Sequence, residues 1–315
     1  MLVFTLPVQA ETNLPGLDEF LAEMEQKHGL DSHEMAPIFA KVEVKSSILK
    51  AISRPAEKSK AWHEYRKIFI TKKRINGGVV FWQQHAEALA KAEQEFGVPA
   101  EIIVAILGVE TRYGGNVGGY RVVDALSTLA FHYPARSKFF RSELEHFLLL
   151  TREENMSILA PVGSYAGAMG LGQFMPSSYR AYAVDFDMDG QRDIWENPVD
   201  AIGSIANYLG RHGWVRNESI AHKTSIVEVP TAMLEKNTKP SITRDELIQA
   251  HISIENLPAG EDQVALISLT QKQGEEYWIT RQNFYSITRY NHSRMYAMAV
   301  MQLAEAIREN CGKQP

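Results

Sequence analysis

Apolar residues recur at helical spacing over most of the chain. GLDEFLAEMEQKHG (16–29) has a period near 3.6, an aspartate in its first turn and a closing glycine, which predicts an amphipathic helix. GVVFWQQHAEALAKAEQEFG (78–97) reads as a longer helix whose alanines favour close packing, and Pro99 opens the apolar run EIIVAILGVE (101–110) at the first helical position. RSKFFRSELEHFLLLTREE (136–154), PSSYRAYAV (176–184), NPVDAIGSIANYLGRHGW (197–214) and SRMYAMAVMQLAEAIREN (293–310) continue the helical pattern. Between the last two the character changes. SIVEVP (225–230), AHISIE (250–255) and QVALISLT (263–270) are short β-branched runs, EEYWITRQNF (275–284) reads as a last strand and its exit, and a small helix is expected at 243–250.

The prediction is a mainly α (α+β) protein. An N-terminal helical region is expected at 11–75, a helical core at 76–223, a small strand-rich insertion at 224–282, and a C-terminal helix at 283–315 that returns to the helical body. Residues 1–10 are set apart: MLVFTLPVQA resembles the tail of a secretory signal without its basic front.

Composition adds limits. With 315 residues, 45% hydrophobic and 23% charged, the chain is an ordinary globular protein of about two domains. A net charge of −5 without a basic block argues against a nucleic-acid partner. The single cysteine, Cys311, permits no internal disulfide, and no run approaches the ~18 apolar residues of a membrane span.

Three stretches carry candidate chemistry. In DFDMDGQRDIWE, Asp185, Asp187 and Asp189 fall at positions 1, 3 and 5 of a calcium loop, Gly190 at the turn, Gln191 at the carbonyl position, Asp193 at 9 and Glu196 at 12. Asp200 is near enough to compete as the last ligand, and a single loop argues for a structural clip. In SYAGAMGLGQFMPSSY, small residues would let backbone or ligand approach closely, and Ser164 and Gln173 offer hydrogen bonds. Glu110 ends the apolar run, where desolvation would keep a carboxyl protonated and suit it to acid catalysis. Asp124 reads as a helix cap. Trp62, Tyr65, Phe81 and Trp82 are candidates for sugar stacking that at helical spacing are more often core, and His132 and His212 read as structural.

GVETRYGGN, AGAMGLGQFMPSSY, the calcium loop, NPVDAIGSIANYLGRHGW and RYNHSRMYAMAV, in that order, resemble the membrane-bound lytic murein transglycosylase B family from about residue 15 to 308. The resemblance implies a lysozyme-like fold and cleavage of the MurNAc–GlcNAc β-1,4 bond of peptidoglycan, leaving a 1,6-anhydro-MurNAc end. It makes Glu110 the catalytic acid/base and places Tyr65, Arg136, Ser164, Gln173, Tyr208, Tyr290 and Asn291 along the sugar cleft. It implies calcium at 185–200, with Asp200 as final ligand by alignment, although one extra residue just before leaves Glu196 in contention. Where the family has two arginines and a tyrosine, this chain has Ala135, Arg136 and Phe139. The family's lipid-bearing cysteine is absent, so a soluble or peripheral periplasmic monomer is expected, with glycan strands and other cell-wall enzymes as partners.

Most glycosidases need two carboxylates. Only Glu110 stands in a cleft motif, which fits capture of C1 by the substrate's own C6 hydroxyl, a step that needs no second base. The rival expectations are a hydrolysing muramidase and a non-catalytic peptidoglycan-binding protein.

Overall fold

The computed structural model describes residues 14–53, 60–224, 229–234, 238–254, 257 and 263–312. The sequence expectations for residues 1–10, and for most of the run 225–230, lie outside these. In chain order the helices before the first strand are α1 (Leu17–His28), α2 (Ser32–Phe39), α3 (Ser46–Ile52), α4 (Trp62–Phe69), α5 (Lys72–Gln84), α6 (Ala86–Phe96) and α7 (Ala100–Thr111). Next come β1 (Tyr120–Arg121), α8 (Val122–His132), a 3-10 turn at Pro134–Arg136, α9 (Ser137–Glu153), β2 (Val162–Gly163), α10 (Pro176–Tyr182) and α11 (Pro198–Arg211). The chain ends with β3 (Ala221–Lys223), α12 (Thr231–Leu234), α13 (Arg244–Gln249), β4 (Ala265–Thr270), β5 (Glu275–Thr280), α14 (Gln282–Tyr290) and α15 (Arg294–Cys311).

The chain forms two compact units. The first comprises the described residues of Met1–Pro55 with Val117–Ala181, the second those of Ala56–Asn116 with Tyr182–Pro315. These cuts differ from the sequence-based boundaries at 75, 223 and 282.

In the first unit α8 packs along α9, and Phe20 joins Phe39 and Phe131 edge-on at 6.5 and 5.9 Å. Asp124 is not the cap expected of it. It is the third residue of α8, almost fully buried, and its carboxylate accepts from the Arg121 guanidinium at 2.8 and 2.9 Å and from the Glu43 backbone N–H at 3.0 Å. A buried carboxylate needs such partners, so this acid ties the α2–α3 connection to α8.

In the second unit α7 is the axis. Apolar all round, it must be enclosed, and Ile103, Val104, Ala105, Ile106 and Leu107 are fully buried. Helices α5, α6, α11 and α15 pack on it. The helix expected over 78–97 breaks at His85 (φ −122°, ψ 29°) because its halves serve different partners: α5 packs on α15, α6 on α11. Pro99 stands at the N-cap of α7, one position before the expected one.

The strand-rich part of this unit is an antiparallel sheet of order β3-β5-β4 over a small core of Val229, Ile242, Leu247, Ile252, Val264, Leu266 and Ile279. The expected strand at 250–255 is absent from its described residues. A capping box at Thr243 and Glu246 starts α13, the chain turns at His251 (φ 55°), and Ile252 drops into the core as an anchor.

Candidate active site and acidic loop

Glu110, half-buried, projects from the last turn of α7. The chain then leaves the helix through three successive left-handed residues: Arg112 (φ 55°), Tyr113 (φ 62°) and Gly114 (φ 87°). For the two non-glycine residues this costs about 1–2 kcal/mol each, so other contacts must enforce it. The Tyr113 N–H donates to Leu107 O at 3.1 Å, Asn116 N–H to Thr111 O at 2.9 Å, and Gly114 N–H to Thr111 Oγ1 at 3.0 Å. The Tyr113 ring stacks on Phe81 with centroids 5.8 Å apart, and its hydroxyl donates to Arg74 O at 2.8 Å. The ring fills a slot between α5 and α7 that exists because Gly77, Gly78 and Gly108 lack side chains. A Cβ on Gly108 would lie 2.5 Å from the Tyr113 hydroxyl oxygen. Burial raises the Tyr113 phenol well above its ordinary pKa, so it remains a donor.

A line of phenols faces Glu110. Tyr296, from the first turn of α15, donates its hydroxyl to Glu110 Oε1 at 2.6 Å. Its ring stacks nearly parallel to Tyr290 at 6.5 Å. Tyr290 meets Tyr208 edge-on at 4.8 Å, and Tyr208 stacks on His212 at 4.1 Å. Burial first and the Glu110 charge second push the Tyr290 and Tyr296 phenols far above their usual range. Burial holds Tyr208 at about 12. Tyr208 gives its hydroxyl to Arg289 O at 2.6 Å, so it braces the stack. His212 donates from Nδ1 to Tyr208 O at 2.7 Å, and burial lowers its pKa. Tyr65 is 2% exposed, beside Trp62 and Phe69, and is a further neighbour of Tyr296. Asn291 caps the end of α14. Tyr296 escaped the sequence reading, although it lies in the RYNHSRMYAMAV stretch just after the Ser293 helix cap.

The first unit holds the other expected contact residues. Ser164 Oγ accepts from the Ala166 and Ala168 N–H groups at 3.3 and 3.0 Å, and its N–H donates to Ala168 O at 2.8 Å, closing a tight loop. Gln173 is left-handed (φ 54°), and its amide nitrogen donates to Gly170 O and Val117 O. Its amide oxygen is left as an acceptor. Gly118 (φ 93°) crosses the β1–β2 pair so closely that a Cβ there would stand 2.1 Å from Gly163 O. Arg136 lies over the Phe139 ring at 4.3 Å and the Phe140 ring at 5.2 Å, so Phe139 serves as a platform for the guanidinium. Glu143, a buried acid that sequence reasoning passed over, accepts from Ser177 N–H at 2.9 Å and Ser177 Oγ at 2.7 Å, capping α10.

The acidic loop gathers the carboxylates of Asp185, Asp187 and Asp200 so that one oxygen of each lies within 4.8 Å of the others. Asp200, in the first turn of α11, is fully buried and accepts from Phe186 and Asp193 N–H groups at 2.7 and 2.8 Å; burial raises its pKa. Asp189 accepts from Gln191 N–H, and Asp193 from Trp195 and Glu196 N–H groups. Glu196 is exposed and outside the three-carboxylate group. Three converging hard oxygens, one of them on a fully buried aspartate, fit a calcium ion.

The family profile described as Transglycosylase SLT domain matches residues 13–305. Membrane-bound lytic murein transglycosylase B of Escherichia coli K12 is 44% identical over 304 residues, covering 94% of this chain and 83% of that protein. The soluble lytic transglycosylase SltB1 of Pseudomonas aeruginosa superposes with a TM-score of 0.88 at 50% identity, over 95% of this chain and all of the other. The E. coli lytic transglycosylase Slt35, solved in complex with calcium, superposes with a TM-score of 0.86 at 43% identity, over 96% and 95% of the two chains. With a glutamate at the end of a buried helix, a phenol on its carboxylate and matches that run nearly end to end, the chain belongs to the SLT-domain family of lytic transglycosylases.

Proposed function

We propose that this enzyme is a peptidoglycan lytic transglycosylase in which Glu110 is the sole acid and base. The observation that carries this reading is the Tyr296–Glu110 hydrogen bond at the end of α7. Protonated Glu110 donates to the glycosidic oxygen between MurNAc and GlcNAc. As the C1–O bond breaks, the N-acetyl oxygen of the substrate stabilises C1. The carboxylate so formed takes the proton of the C6 hydroxyl, whose oxygen attacks C1 to close the 1,6-anhydro ring. The Tyr296 phenol stabilises the charge that appears on Glu110 between the two proton transfers. Intramolecular attack gains from proximity and needs no activated water.

Tyr65, Arg136, Ser164, Gln173, Tyr208, Tyr290 and Asn291 are assigned to holding the glycan, directly or, for Tyr208, by bracing Tyr290. Calcium is assigned to Asp185, Asp187 and Asp200, with Asp189, Asp193 and the Gln191 carbonyl completing the shell. The burial of Asp200 supports it over Glu196 as the last ligand. No described helix is long and apolar enough to cross a membrane. The reading places a monomer in the periplasm, acting on glycan strands. Mass analysis of muropeptides released from purified sacculi tests it: products lighter than reducing muropeptides by one water are expected. A digest dominated by reducing ends would make the enzyme a hydrolysing muramidase.

A further inference from the structure

Strand β5 has two faces. Tyr277 and Ile279 turn to the small core of the strand-rich part, so Glu276 and Trp278 turn the other way. There, within the second unit, they meet a cavity of about 510 Å³ bounded by Trp62 and Arg66 of α4, Lys223 of β3, and Gln302 and Ala306 of α15. Trp278 is half-buried, and its indole is held in place. Its Nε1–H donates to Glu276 Oε1 at 2.6 Å, while Glu276 Oε2 accepts from Lys223 Nζ at 2.7 Å and Gln271 Nε2 at 3.2 Å. Lys223 lies opposite Trp278 in the strand register. On the helical side, Arg66 Nε donates to Gln302 Oε1 at 2.6 Å. One carboxylate therefore serves three donors and fixes an aromatic plane on the cavity wall, with amide groups and a guanidinium around it. Two cations and three acids line the cavity (Arg66 and Lys223 against Glu276, Glu305 and Glu309), so neither sign prevails for an ionic ligand.

Such a wall suits a sugar. The C–H face of a β-linked pyranose stacks on the negative face of an aromatic ring. Its hydroxyl groups both donate and accept, as amides do. We propose that this cavity binds a sugar ring of the glycan strand, as an accessory site apart from the place of bond cleavage. The inference rests on the glycan-cleaving reading above. Tyr296, the partner of Glu110, stands in the first turn of α15, and Gln302 and Ala306 follow roughly 9 and 15 Å farther along the helix. A second contact on a polymer is intramolecular once the first is made, so it tightens binding of long strands without entering the chemistry.

The test compares wild type, Trp278→Ala and Ala306→Arg on long glycan strands and on a tetrasaccharide with one disaccharide on each side of the scissile bond. Trp278→Ala removes the stacking face. Ala306→Arg fills the cavity from a half-buried helical position where arginine is a good helix former, so it keeps the test open if the tryptophan variant does not fold. The expected result is a KM on long strands raised about tenfold, the size of one aromatic contact, with kcat unchanged. On the tetrasaccharide kcat/KM should change less than about twofold, well under one such contact. An equal loss on both substrates, or none on either, overturns the proposal. A loss on long strands that disappears once an amidase has removed their peptides would assign the cavity to the peptide and also overturn it. A chitooligosaccharide, which carries neither lactyl group nor peptide, should perturb tryptophan fluorescence less in Ala306→Arg than in wild type. An unchanged response overturns the accessory site whatever the outcome for cleavage. Failure of wild type to release anhydro products from either substrate is a different result, and it would sink the cleavage reading itself.

Discussion

Two regions of the second unit concentrate acid chemistry, and they handle carboxylates in opposite ways. At the end of α7 Glu110 accepts from a phenol at 2.6 Å, beside a backbone turn held by a buried tyrosine. In the 185–200 loop several aspartates converge, take backbone N–H donors, and leave three oxygens within 4.8 Å of one another. A proton-transfer group must change charge during turnover, so it needs a neutral donor that tolerates both states and a rigid mount. A cation ligand must keep its charge, so repulsion within a group of carboxylates is acceptable once a divalent ion offsets it. On the proposed reading, this difference separates the acid assigned to chemistry from those assigned to the metal.

The sharpest way to break this comparison is Glu110→Gln. Cleavage should fall by a factor of about 10² or more while the melting temperature barely moves, because the amide keeps the volume and loses the proton. Near-normal release of anhydro products would move the chemistry elsewhere. The same region supplies the next effect. Gly108→Ala pushes a methyl group against the Tyr113 hydroxyl, which has backbone and Phe81 behind it. A loss of about 1–3 kcal/mol in denaturant unfolding is expected, with lower kcat, since the turn after Glu110 shifts. Retained stability would show that the slot yields.

The loop should respond to metal and not to proton chemistry. At calcium 100-fold above its dissociation constant the stability gain is about 2.7 kcal/mol, and EDTA should remove it while kcat at saturating substrate stays constant. Asp200→Asn should shrink the gain, and a melting curve indifferent to EDTA would remove calcium from the account. Tyr296→Phe tests the phenol: loss of a hydrogen bond to a charged group should lower kcat about tenfold with little change in KM. The smallest effect concerns His212. Burial holds its pKa below the ordinary 6.5, so the neutral form belongs to the folded state. Its contribution is complete above the unfolded value and is lost as pH falls through the lower folded one. Melting temperature should therefore decline on acidification below about pH 6.5, and His212→Gln should flatten that decline. An identical slope in the variant would assign it to other groups.

Much of this was legible in the chain because it depends on local chemistry. Helical periodicity, terminal glycines and serine caps mark α1, α9, α11 and α15. The alternating aspartates around Gly190 mark the loop, since hard oxygens at those offsets point inward whatever surrounds them. Glu110 could be singled out because a carboxylate after a wholly apolar run is costly unless it is used.

Long-range packing decided the rest. The break at His85 follows from α5 and α6 having different partners, which no window of sequence contains. Ile252 reads as strand yet serves as a core anchor, because the Thr243–Glu246 box commits the preceding residues to helix. The phenol on Glu110 comes from residue 296, and Asp124, beyond its local partner Arg121, takes a donor from the distant Glu43 backbone. By itself the sequence determined which residues carry charge, bend the chain or must be enclosed. Only the tertiary structure decided which of them meet, because burial and hydrogen bonding are set by neighbours distant in the chain.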